Sequence, residues 1–188
     1  MSTYGQYCPV AQALDIVGDR WTLLIVRDLL TGTAHFNDLE RGLPGIPRAV
    51  LTKRLRQLQQ AGVIEKEHLA TGRRSTAYRL TRAGQDLQNV IQALLVWGTT
   101  WAFGDPAPDQ LDPLLLVWWM RSRVVAERLP KDRVVLQLHF HGARIATYWL
   151  ILATDDVALC LTDPGYEVDV LVEADLATFF KLWLGRIT

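Results

Sequence analysis

Cysteine is scarce in this sequence. Its 188 residues hold two, Cys8 and Cys160, too few for a disulfide framework and without the closely spaced partners a metal cluster needs. The four histidines do not supply those partners. Only His139 and His141 are neighbours, flanking Phe140 in a strand-like run, and such a pair reads as solvated or partner-facing rather than metal-binding. Long apolar runs are absent too. The most apolar stretch, Leu114 to Met120, falls far short of the roughly 20 residues that cross a bilayer. The opening Met1-Ser2-Thr3-Tyr4-Gly5-Gln6 lacks the basic start and apolar core of a signal peptide. A soluble, cytoplasmic protein with no membrane partner is expected. There is also no phosphate-binding loop, no nucleophile elbow and no paired metal ligands, so neither an enzyme nor a cofactor is expected.

What is present is a charge asymmetry inside a neutral chain. Residues 1–104 carry 12 Lys and Arg against 8 Asp and Glu, a net +4, and residues 105–188 carry 8 against 12, a net −4. Residues 46–82 concentrate nine bases (Arg48, Lys53, Arg54, Arg56, Lys66, Arg73, Arg74, Arg79 and Arg82) against Glu65 and Glu67. An excess of seven positive charges in so short a window is a candidate polyanion footprint; a solvated basic face is the plainer alternative.

Hydrophobic spacing organises the first half as helices and a hairpin. Helical periodicity predicts Pro9 to Val17, then Arg20 to Leu30 with Asp19 as its N-cap, then a short helix over Phe36 to Arg41. After the breaker-rich Gly42-Leu43-Pro44-Gly45, Pro47 suits the first turn of a helix reaching Gln60, with Gly62 as its stop. Leu51, Leu55 and Leu58 form the buried stripe of that helix, and at 100° per residue Ala49, Thr52, Lys53 and Arg56 fall opposite. The period then becomes alternating. Val63 to Leu69 and Ala77 to Leu80 read as strands joined by a turn with Arg73 and Arg74 at its tip. A long helix from Thr81 follows, apolar on too many sides to serve only its own core, and reads as a dimerisation helix.

Helix, helix, helix, hairpin, helix is the winged helix-turn-helix plan. Its third or fourth helix enters the DNA major groove, and an arginine-tipped wing lies along the neighbouring minor groove. Residues 8–101 closely resemble the HxlR-type regulators, a branch of the MarR-like winged-helix proteins. The stretches that carry the resemblance are Cys8-Pro9-Val10, Val17 to Ile25 (Val-Gly-Asp-Arg-Trp-Thr-Leu-Leu-Ile), Gly32 to Leu39 (Gly-Thr-Ala-His-Phe-Asn-Asp-Leu), Leu43-Pro44-Gly45-Ile46, Leu51 to Leu58, Ala61-Gly62-Val63-Ile64, Tyr78-Arg79-Leu80-Thr81 and Trp97-Gly98. His35 stands where the family usually has Arg, Pro47 where a Ser often caps the recognition helix, and the usual wing prolines are missing around Arg73–Thr76. The resemblance implies a homodimeric regulator on a pseudo-palindromic operator in double-stranded DNA, expected to act as a repressor. Arg48, Thr52, Lys53 and Arg56 would read the major groove, and Arg73 and Arg74 would form the wing contact. Cys8 matches an N-terminal cysteine that senses oxidants in some members, and it directly precedes a helix start, a position that favours thiolate.

Residues 105–113, with three prolines and three aspartates, read as a linker. Beyond them the pattern predicts a helix over 114–129, strands over 134–140, 145–152, 157–161 and 168–172, and a closing helix over 176–184. The expected fold is thus α+β: a winged-helix domain (1–104), the linker, and a second α+β domain (114–188). That second half resembles sterol-carrier-protein-like domains through Val134–Gly142, Tyr148-Trp149, Val168–Glu173 and Leu176–Gly185. The resemblance implies an apolar small-molecule effector, with Trp118, Trp119, Trp149 and Trp183 as the candidate ligand site and plain core as the alternative. A different function class stays open on this evidence: a lipid or small-molecule carrier whose winged helix serves mainly to dimerise.

Overall fold

The computed structural model describes residues 3–68, 76–130 and 132–187. The chain divides into two compact units, 1–103 and 104–188, and the fold is α+β. In the first unit come α1 (Pro9–Val17), α2 (Thr22–Leu30), α3 (Phe36–Gly42), α4 (Arg48–Gln60), β1 (Ile64–His68), β2 (Thr76–Leu80), α5 (Arg82–Asp86) and α6 (Gln88–Trp101). Ile25, Val26, Leu39, Leu43, Leu51, Leu55 and Leu58 form one buried core with Val63 and Ile64. Strands β1 and β2 pair antiparallel, with Ile64 opposite Leu80 and His68 opposite Thr76.

Two expectations about helix starts are corrected. Asp19 does not cap α2. The helix begins at Thr22 behind Trp21, the one non-glycine residue with a left-handed backbone (φ 81°) among those described. The Asp19 carboxylate is drawn instead to Arg54. The single helix expected from Thr81 is two, broken at Leu87. The Thr81 hydroxyl accepts from Gly84 N at 3.3 Å and donates to the Gly62 carbonyl at 2.6 Å. This ties α5 down beside the stop of α4, while α6 sets off separately. Gly62 itself has φ +70°, the backbone a side chain resists.

In the second unit, α7 (Pro113–Ser122) precedes β3 (Val134–His141), β4 (Ala146–Leu152), β5 (Val157–Cys160), β6 (Val170–Asp175) and α8 (Leu176–Trp183). The strand order is β5-β4-β3-β6, with β6 parallel to β3 and the other pairs antiparallel. Helix α7 packs on β4 and β5, and α8 packs on β6. Their core gathers Leu116, Val117, Leu138, Phe140, Leu150 and Leu176. It also takes in Leu111, so the stretch expected to be a linker is anchored at its end rather than free. Asp112 caps α7, accepting from Leu114 N and Leu115 N. The helix expected to reach residue 129 stops at Ser122. Val124 and Val125 are stiff β-branched residues, and Pro130 forces Leu129 into extended backbone (φ −71°, ψ 148°).

Glycine in a helix normally costs about 0.5–1 kcal/mol against alanine, but Gly84 inverts the rule. A Cβ there would lie 2.2 Å from the Val63 carbonyl oxygen, a backbone atom that cannot swing away. Gly84→Ala is expected to lower stability by about 1–3 kcal/mol, the usual cost of overpacking, as read from urea unfolding with an unchanged m-value.

Candidate nucleic-acid interface

The recognition-helix candidate is α4, 13 residues long and so about 20 Å. Its seat is hydrophobic: Leu51, Leu55 and Leu58 are all at least 98% buried. Two arginines fix its flanks. At 100° per residue, positions 48 and 54 lie about 120° apart around the axis. Arg48 reaches α3, donating from Nη1 to Glu40 Oε2 at 2.6 Å and from Nη2 to Asn37 Oδ1 at 3.4 Å, with its guanidinium 4.6 Å from the Phe36 ring centroid. Arg54 goes the other way. It pairs with Asp19 before α2 and donates to Gln57 Oε1 at 2.7 Å, with its side chain 16% exposed.

Between these flanks runs a strip that faces solvent. Thr52, Lys53 and Arg56 are exposed. The Thr52 hydroxyl donates to the Arg48 carbonyl at 2.9 Å, which leaves its oxygen free to accept. Lys53 and Arg56 make no ion pair with any described residue. Of the four residues expected to read DNA, three therefore form one open strip. Arg48 stands at its edge, engaged with α3. Arg73 and Arg74 lie outside the described residues.

The wing strand is tied to the same platform. Tyr78 N donates to the Ala34 carbonyl at 2.7 Å, and His35 donates from Nδ1 to the Thr76 carbonyl at 2.9 Å. The departure at position 35 thus has a local role, clasping β2 to the start of α3. On β2, Arg79 pairs with Glu67 of β1, and that hydrogen bond, then the carboxylate's charge, raises its pKa further. Burial raises the Tyr78 phenol. Arg82 sits 3.6 Å from Asp86.

These pairs shrink the basic footprint. Of seven described bases in the 46–82 window, Arg48, Arg54, Arg79 and Arg82 are ion-paired, three of them with Glu40, Asp19 and Asp86, which lie outside it. Lys53, Arg56 and Lys66 remain open. Sequence reading missed the fixing roles of Glu40, Asn37 and Arg54, because a partner 8 to 35 positions away leaves no local pattern.

Cys8 is half-buried, at the N-cap position of α1, its carbonyl accepting from Gln12 N at 3.0 Å. The four tryptophans of the second unit do not converge. Trp119 and Trp183 pack against the core, and Trp118 is buried beneath Arg121. Trp149 alternates with the core residues Tyr148 and Leu150, which places it on the opposite face of the sheet. Among the described residues no cluster of His, Cys, Asp and Glu fits a metal ion, and no helix is long and apolar enough to cross a membrane.

Comparison with known proteins agrees with this geometry. The sequence profile described as HxlR-like helix-turn-helix matches residues 16–105. An HTH-type transcriptional regulator of Mycobacterium tuberculosis, Rv3095, is 44% identical over 89 residues, which cover 47% of this chain and 56% of that protein. This chain therefore spans little more than half the length of that relative. YvaP of Bacillus subtilis, also an HTH-type transcriptional regulator, is 33% identical over 97 residues, covering 51% of this chain and 90% of its own. The crystal structure of PA1607, presented as a candidate transcription factor, is 35% identical and superposes with a TM-score of 0.51 over 55% of this chain and 71% of its own.

The fixing pairs and the open strip make opposite demands. Asp19→Ala strands a mostly buried guanidinium and is expected to cost about 1–3 kcal/mol, below the range for a fully buried pair because Asp19 is 46% exposed. Lys53→Ala is expected to stay within about 0.5 kcal/mol of wild type. Chemical denaturation of both variants decides whether the two positions differ as described.

Proposed function

The chain belongs to the HxlR-like helix-turn-helix family, whose members named above are transcriptional regulators rather than enzymes, and from that premise we propose that it regulates transcription by binding duplex DNA as a homodimer. The observation that carries the reading is the open strip of Thr52, Lys53 and Arg56 on a helix held on its other sides. An α-helix fits the major groove, where side chains near its N-terminus meet base edges. Lysine and arginine with no partner among the described residues meet phosphate or base without first breaking a pair. A carrier protein using its winged helix only to dimerise has no need of such a strip.

The dimer reading rests on α6. None of its residues is buried, yet Leu95, Trp97 and Trp101 are 62, 60 and 76% exposed, with Leu94 and Val96 also exposed. Apolar surface of that extent marks an interface. A second copy suits it because symmetric dimers read symmetric half-sites. The effector role expected for the second unit draws no support from its tryptophans, which lie on two faces of the sheet.

Lys53→Ala and Arg56→Ala are expected to weaken binding to duplex DNA. Removing a phosphate neighbour should flatten the salt dependence by about one unit of slope, and removing a base-reading side chain should cost about 1–3 kcal/mol at one position. Fluorescence anisotropy across a salt series measures both, and a double variant with unaltered affinity and slope removes α4 from the interface. Separately, light scattering at micromolar concentration should give twice the chain mass, and Leu95→Asp with Trp97→Asp should give the single mass and weaker DNA binding. A wild-type monomer would refute the dimer.

A further inference from the structure

The surroundings of Arg48 say more than that it sits at the edge of the strip. Three residues of α3 hold its guanidinium: Cζ lies over the Phe36 ring, 4.6 Å from its centroid, Glu40 Oε2 accepts from Nη1 at 2.6 Å, and Asn37 Oδ1 lies 3.4 Å from Nη2. We propose that Glu40 is a specificity-determining positioning residue, which with Phe36 and Asn37 presents Arg48 as a fixed planar fork to a guanine of the half-site. This rests on the DNA-binding reading above and names the base class that the edge of the strip selects.

The geometry favours a base over a phosphate. The Phe36 ring beneath Cζ restricts how the guanidinium tilts, and contacts at both terminal nitrogens restrict how it turns. A phosphate also takes a bidentate fork, but its tetrahedral oxygens accept from many directions and do not require one fixed plane. The O6 and N7 acceptors of guanine demand two parallel donors in one plane. Arginine has five N–H donors. Two face α3, three remain, and a bidentate contact uses two.

The pair is also poorly suited to be a stability device. Arg48 and Glu40 side chains are 64% and 32% exposed, and ion pairs so wetted contribute little to folding. What the arrangement does change is the freedom Arg48 loses on binding. A solvent-borne arginine must freeze several torsions to make a two-point contact, whereas one already stacked and paired has frozen them on folding. Glu40 adds a selective penalty, since its carboxylate repels every phosphate that approaches. Only a site offering Arg48 its acceptors offsets that repulsion, so non-cognate duplexes are rejected as well as cognate ones favoured.

The test uses the full chain and a random duplex pool, with wild type, Glu40→Gln and Arg48→Lys each enriched and sequenced, then titrated on cognate and scrambled duplex across salt. Wild type should enrich a motif with a G·C pair at one position of each half-site. Glu40→Gln should keep the rest of the motif, lose roughly three- to tenfold preference at that one position, and bind scrambled duplex more tightly. Arg48→Lys, which keeps the charge but not the fork, should flatten the same position with an unchanged salt slope. Unchanged preference at every position in either variant overturns the proposal. So does an even loss across all positions accompanied by a lowered melting temperature, which would make Glu40 merely structural. If wild type enriches no motif at all, the DNA-binding reading itself falls and takes this one with it, an outcome recognisably different from the other two.

Discussion

Burial of the Leu51–Leu55–Leu58 stripe is the constraint on which the proposed interface depends. It sets the rotation of α4 about its own axis, and one residue of slip would turn the helix by 100°. Lys53 would then rotate toward a flank and Arg54 toward solvent, and the strip would lose its composition. Leucine packing alone resists translation poorly, because successive turns present similar surfaces. The Arg54–Asp19 pair, with its guanidinium mostly buried, supplies part of what the stripe lacks. Arg54 holds one flank against the approach to α2, whereas the exposed Arg48–Glu40 pair orients the arginine more than it holds the helix.

This arrangement explains why a count of basic residues overstates the footprint. Charge in a window of sequence is a sum, whereas an approaching polyanion meets a surface. Glu40, Asp19 and Asp86 neutralise arginines from outside the window. Among the described residues the net field is weaker than the window's charge suggests, with Lys53 and Arg56 open on one helix face and Lys66 open on β1. A strong diffuse field speeds encounter with any duplex. A weaker field concentrated beside oriented donors gives up some of that rate for discrimination.

What was legible in the sequence was whatever is local. Helix α4 could be read with its buried and open faces because three leucines at helical spacing, Pro47 before and Gly62 after, all act within a few residues. The hairpin could be read because β1 and β2 are consecutive. The reading failed where a distant residue decides. Asp19 has the chemistry of an N-cap, but Arg54, 35 positions on, takes its carboxylate. Nothing near Trp21 announces a left-handed backbone. In the second unit the strands were found but not their order, since β6 joins β3 across the whole length of β4 and β5. Trp149 was grouped with the other tryptophans by type, and only strand register shows that it faces away from them.

The α6 helix carries the argument from packing to regulation. With no buried residue, it draws little from the core of its own unit, and an isolated helix of 14 residues is marginal in water. Its contacts with α2 and α5 anchor one side, while its leucines and tryptophans are left for a partner. If a second copy supplies that partner, as proposed, part of the order of α6 is contributed by association and therefore depends on concentration. Ile25 and Val26 of α2 share one buried core with Leu51 and Leu55, so what steadies α6 would steady the seat of α4. Dimerisation and DNA reading would then be coupled through one continuous core rather than through a separate switch. By linkage, DNA binding would then strengthen the dimer by the same free energy as dimerisation strengthens DNA binding.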